Sequence, residues 1–239
     1  MFQRIISPFL LLASIYLSSC GGKKSNGTAE KADSTTASTN TAAQINSNEV
    51  AADTTLLPHQ SLIEKGFAQW MQSFKNFRID SFHQVDKREF QESDYGDMDA
   101  ASMSLFYSLY KPSLSFSADS SQFIDLYSNG ISLEKRGKKI VAIGDVDQSV
   151  TLCNIKAKNW KSILSFGPSA GMEEALWVSP TSFLLAGTMQ NDDGKNQAVL
   201  ILGNTETKSF CWFEANIIRE ESSAYKPSSL SKLKIDEWE

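Results

Sequence analysis

The sequence predicts a mainly β domain of the α+β class, in which an amphipathic N-terminal helix packs on an antiparallel β-meander shaped as a curved sheet or small sandwich. Three observations predict it. Apolar residues recur at helical spacing at the start of the body, in Ile63, Phe67, Trp70, Met71, Phe74 and Phe77. From about residue 116 onward, short runs rich in Val, Ile, Leu and Phe alternate with Gly/Asn/Asp turn clusters. The alternation of strands with long helices that a parallel sheet requires is missing.

The elements follow in order. Ser61-Leu62-Ile63-Glu64 fits a capping box, with Ser61 placed to accept from the first-turn amides and Glu64 to reach back. Residues 86–99 are acidic and read as irregular. Residues 100–110 read as a second short helix that stops before Lys111-Pro112, because the residue before proline avoids helical backbone. Strands are then expected at 123–127, 131–134, 139–143, 149–155, 161–166, 175–178, 183–189, 197–202 and 209–213. Asn129-Gly130 is a hairpin signal, since a type I′ turn needs positive φ at both central residues. The basic cluster Lys135-Arg136-Gly137-Lys138-Lys139 reads as a solvated hairpin turn.

An internal echo runs through this region. Gln148-Ser149-Val150-Thr151-Leu152 is similar to Gln197-Ala198-Val199-Leu200-Ile201, and Ser121-Gln122-Phe123-Ile124 to Thr181-Ser182-Phe183-Leu184. The segment 177–187 resembles the inner strands of a β-propeller blade. At most two such units fit, whereas a closed propeller needs about four, so the resemblance implies a sheet type and not a ring.

Ahead of the body, Arg4 precedes a short apolar run over 5–17, which reads as a secretory signal and is shorter than the roughly 20 residues a spanning helix needs. Leu17-Ser18-Ser19-Cys20 resembles the lipobox of bacterial lipoprotein precursors. The resemblance covers residues 1–20 and implies cleavage before Cys20 and lipid on its thiol. Gly21 is unlike the acidic residue of inner-membrane retention signals, and Lys23-Lys24 are unlike the acidic tract of surface-exported lipoproteins. Together they imply the periplasmic face of an outer membrane. Residues 21–55 are Gly, Lys, Ser, Asn, Thr, Ala and Gln with few large aliphatics, so they cannot bury enough surface to order themselves. As a coil they reach on the order of 30 Å. The expected organisation is a signal over 1–19, a lipidated cysteine and tether over 20–55, a β-rich domain over 56–218 and a polar tail over 219–239.

The whole chain carries 23 basic and 28 acidic side chains; without residues 1–19, which contribute only Arg4, the balance is 22 to 28. That excludes an extended basic surface for nucleic acid. Of 3 cysteines, Cys153 and Cys211 remain beside Cys20. In an oxidising compartment they can form one bridge, or each can sit buried as a small apolar residue.

Candidate chemistry is sparse. Gly167-Pro168-Ser169-Ala170-Gly171 matches the nucleophile-elbow pattern, but the two histidines, His59 and His83, both precede it, and without a downstream histidine the serine lacks its usual general base. No catalytic residue is therefore assigned, and no cofactor is expected. Asp94, Asp97 and Asp99 cluster hard oxygen donors suited to calcium, yet from Asp97 the twelfth position is Ser108, so the EF-hand template fails and a solvated acidic loop is the alternative. Tyr127, Trp160, Trp177 and Trp212 lie on or beside expected strands, where a row of exposed rings would stack on a glycan or peptide; core burial is the competing expectation. The function expected is a non-enzymatic, lipid-anchored envelope protein that binds or braces an envelope protein or glycan.

Overall fold

The computed structural model describes residues 56–97, 99–220, 223 and 225–239, with main chain only at 96 and 97. The signal, Cys20 and the tether lie outside the described residues. The described residues belong to one compact unit.

The aromatic stripe forms two short helices, α1 (Gln60–Gly66) and α2 (Ala68–Gln72), hinged at Phe67. Gly66 stands where a Cβ would lie 2.7 Å from Leu176 Cδ2, so the glycine lets the helix rest on the strand beneath it. The capping box is not formed: α1 starts before Ser61, and Glu64 instead accepts from the Gln60 amide at 2.7 Å. Phe74 and Phe77 lie beyond the helices but keep their rings against Trp70, at 4.9 and 5.4 Å.

Next come β1 (His83–Glu89) and β2 (Ser93–Asp97), in the stretch expected to be irregular. Their polar sequence hides them from a hydrophobicity pattern because both are edge strands. Helix α3 (Ala100–Tyr110) follows where expected, N-capped by Asp99. The remaining strands are β3 (Ser115–Phe116), β4 (Gln122–Asp125), β5 (Ile131–Arg136), β6 (Lys139–Gly144), β7 (Gln148–Asn154), β8 (Asn159–Phe166), β9 (Ala170–Trp177), β10 (Ser182–Gln190), β11 (Asn196–Asn204), β12 (Ser209–Ile218) and β13 (Glu237–Trp238).

These strands form two five-stranded antiparallel sheets, β3-β4-β7-β8-β2 and β9-β10-β11-β12-β1, and a three-stranded sheet, β5-β6-β13. In each large sheet four strands run in chain order, and β8 leads through 167–169 into β9. Each large sheet is thus an antiparallel meander of four strands with one added edge strand, β2 or β1. The echo in sequence has a structural counterpart. Asn154 Oδ1 accepts from Ala157 N at 3.0 Å and Asn204 Oδ1 from Thr207 N at 2.9 Å, closing equivalent turns. Each turn ends on a lysine with positive φ, 49° at Lys158 and 50° at Lys208.

Alternation along the strands sends side chains to two faces. Phe183, Leu185, Val199, Ile201 and Phe210 of one sheet meet Ile124, Val150, Ile163 and Leu164 of the other in a central core. Leu184, Ala186, Leu200 and Phe213 face the other way, onto Ile63, Phe67, Trp70 and Phe74. Phe123, Cys153 and Trp160 face α3 through Phe106 and Tyr110. The layers are thus helix, sheet, sheet, helix, and each fully buried large side chain contributes about 1.5–3 kcal/mol.

Two expectations are corrected here. Asn129-Gly130 joins β4 to β5, which do not pair with each other; the Asn129 amide donates to Thr151 Oγ1 at 2.7 Å, and Gly130 has no positive φ. The positive-φ hairpin glycines are Gly137, inside the basic cluster, and Gly194. Residues 219–239 are not a detached tail: Tyr225, Leu230, Leu233 and Ile235 pack into the cores, and β13 pairs with β6.

Candidate functional site

The residues singled out by sequence do not assemble into one site. Tyr127, Trp160 and Trp212 are buried, and Trp177 is half-buried with its Nε1 donating to Ser115 O at 2.9 Å. They sit in separate places: Trp160 against α3, the other three on the central core. The rings line no common exposed groove. Trp212 instead carries the Arg88 guanidinium 4.3 Å above its face. Asp99 spends its carboxylate on the N-terminus of α3, accepting from Ala101 N and Ser102 N at 2.8 Å each. Asp94 is exposed beside Lys161 at 3.8 Å, and the side chain of Asp97 lies outside the described residues. Among the described residues no group of acids, histidines or cysteines could hold a metal. Cys153 and Cys211 are not bonded to each other. They pack against opposite outer layers of the sandwich, and burial pushes the Cys153 thiol up to about 12. Ser169 lies in the β8–β9 connection, where its carbonyl accepts from Gln190 N at 2.8 Å. His59 lies beside α1 and His83 opens β1.

The two sheets do converge on one cleft. The segment between β1 and β2 crosses from one sheet to the other, with Phe90 N donating to Lys208 O at 2.8 Å and Gln91 N to Ile163 O at 3.1 Å. This crossing places Glu92 between the sheets. Its carboxylate meets Lys161 Nζ of β8 at 2.7 Å and Lys208 Nζ of the β11–β12 turn at 3.0 Å. The hydrogen bond from Lys161, then that from Lys208, hold Glu92 below the usual carboxylate range against a partial desolvation. The cleft beside it has a volume of about 300 Å³, with Phe90 and Leu152 as apolar wall and the amides of Gln122, Asn154 and Asn159 around it. An ionised acid clamped by two ammoniums neither donates nor collects a proton near neutral pH. Amides, lysines and an apolar wall can hold a polar chain or side chain in place.

A second polar cluster sits on β9. One extra residue in β9, Glu173, bulges between the pairs Gly187–Met172 and Ala186–Glu174. Gly187 permits this, because a Cβ there would lie 2.1 Å from Gly171 O. Glu173 accepts from Arg219 Nη1 and Nη2 at 2.6 and 2.7 Å and from Trp70 Nε1 at 2.9 Å. Glu174, almost fully buried, accepts from Tyr225 Oη at 2.7 Å and from the hydroxyls of Ser228 and Ser229 at 2.8 and 3.1 Å. Burial and Glu174 push the Tyr225 phenol up. Both acids are saturated with donors, so the cluster fastens chain segments together. Glu92, Glu173, Glu174 and Arg219 were not singled out by sequence. The available signal was Glu173-Glu174 inside an apolar strand, since acids there demand partners.

Comparison with protein-family models, with curated proteins and with solved structures finds no match to this chain.

Proposed function

We propose that this chain is a lipid-anchored envelope protein, held through Cys20 on the periplasmic face of an outer membrane, whose domain binds or braces another envelope protein. The observation that carries the binding part of the reading is the cleft around Glu92. It lies where the two sheets meet, is lined by amides, hydroxyls and lysines, and the carboxylate clamped inside it, Glu92, is held in the ionised form. Such a lining recognises polar groups without turning them over. A peptide is favoured over a glycan as the bound class, because the four aromatic rings that would stack on sugars are committed to the interior. The anchor rests on the lipobox resemblance, and among the described residues no helix is long and apolar enough to cross a membrane.

The test places a photo-crosslinking amino acid at Glu206, on the cleft rim, in the full chain expressed in cells. The expected result is one envelope protein crosslinked reproducibly, with the adduct lost in a Lys161→Glu, Lys208→Glu background. A Cys20→Ala chain should leave the membrane fraction and lose the adduct with it. Adducts unchanged by the lysine reversals, or a Cys20→Ala chain that stays on the membrane, would count against the binding site and the anchor respectively.

A further inference from the structure

We propose that the edge of β6 is a docking site for an extended acidic peptide, and that residues 236–239 of the chain occupy it in the resting molecule. The pairing of β13 with β6 is the one parallel ladder among the described strands, and it spans only Glu237–Val141 and Trp238–Ala142. Flanking bonds extend it. Asp236 N donates to Ile140 O at 2.8 Å, Glu239 N to Ala142 O at 2.9 Å, and Ile140 N to the Asp236 carboxylate at 2.7 Å. Residues 236–239 are all exposed, with Trp238 57% accessible. A short, exposed strap of this kind holds its edge weakly, since little apolar surface is buried to offset its ordering.

Three other edge strands, β1, β3 and β5, are protected by other means. β1 presents Asp86, Lys87, Arg88 and Glu89, and charge on an edge strand discourages further pairing. β3 is tied to β9 by the Trp177 indole. The outer side of β5 is engaged by Tyr110, whose hydroxyl donates to Ile131 O at 2.8 Å and accepts from Leu133 N at 2.9 Å. β6 differs: Ile140, Val141, Ala142 and Ile143 form an apolar strand, and what closes it is the exposed segment 236–239. An uncovered apolar edge is a template for strand addition.

Charge selects the occupant. The edge ends at the basic turn, where Arg136 Nη1 meets Glu239 Oε1 at 2.7 Å and Lys139 pairs with Glu237. Lys138 stands in the same turn and Lys135 beside it on β5. The strap is therefore a pattern for the ligand: acidic side chains at alternate positions on an extended backbone. A partner segment with that pattern would take over the main-chain bonds and both ion pairs. This surface is separate from the Glu92 cleft, and neither depends on the other.

The experiment measures binding of a fluorescent peptide of residues 234–239 by anisotropy, using the full chain in detergent and the same chain ended after Ile235. The shortened chain should bind at least tenfold more tightly than the full chain. A peptide with lysine at the three acidic positions should not bind, and Arg136→Glu with Lys139→Glu in the shortened chain should abolish binding. If shortening unfolds the domain, Glu237→Lys with Glu239→Lys in the full chain should open the same site. Equal binding by full and opened chains, no binding to either opened form, or equal binding of the acidic and basic peptides would overturn the proposal.

Discussion

The two large sheets share one strand plan and spend it differently. In the β9-to-β12 sheet the hairpin of β10 and β11 is continuous, pairing without interruption from Ser182–Asn204 to Gln190–Asn196. In the β3-to-β8 sheet the equivalent hairpin breaks. Asp125 folds back to accept from Tyr127 N at 2.9 Å, and the strands restart as β5 and β6 in a separate sheet. Burial raises the Asp125 carboxyl, the consequence of placing an acid at that break. One unit is a plain slab under α1 and α2, and the other bends its hairpin away to present a new edge. The same strand order can thus give an unbroken support in one sheet and a projecting hairpin with a further edge in the other.

The largest effect that separates the units should come from Arg219→Ala, which strips the bidentate partner from Glu173 on β9. Leaving a largely buried carboxylate short of its cation costs about 3 kcal/mol or more, and a denaturation midpoint would read it. An equally large loss from Lys161→Ala, in the first sheet, would erase the distinction between fixed and adaptable halves. Gly187→Ala comes next. Its Cβ would meet the main chain of β9, which cannot swing aside, so the expected loss is about 1–3 kcal/mol with broadened spectra for 170–176. Replacing Lys158 by glycine relieves its positive φ and should stabilise the chain by about 1 kcal/mol. Lys208→Gly, which gives up the ion pair with Glu92 as well, should gain less. Smallest is the pH response of Glu92. Its folded value lies below the unfolded one, so its stabilisation is present above the unfolded value and lost as pH falls through the folded value. Glu92→Gln should lose that contribution at neutral pH and converge with the parent in acid, so that the acid limb of its thermal melt is flattened.

The strand plan was legible because inward-facing residues dominate it. Phe183 to Met189 and Gln197 to Leu202 carry apolar side chains to both faces, and such runs announce themselves. The helix over 100–110 was equally visible through Pro112. What escaped were β1 and β2, polar because they lie at edges, and the break at Phe67, set by contact of Gly66 with Leu176. The Glu92 cleft escaped for a deeper reason. Its acid and two lysines are far apart in sequence, and only the crossing of Phe90 from one sheet to the other brings them together. Aromatic residues misled in the opposite direction: side chains large enough to stack on a ligand are also the ones that fill a four-layer interior.

The pairing of β1 with β12 carries a consequence for how the molecule is made. His83 meets Glu214 and Glu89 meets Ser209, so one of the earliest strands to be synthesised waits for the last long one. Contacts of that sequence separation slow folding, because the intervening loop must close before they form. A chain interrupted before residue 209 would leave the edge of β11 unpaired and take Phe213, Ala215 and Ile217 away from the rings of 67–77. The arrival of β12, more than any local signal, is the event that lets these layers close.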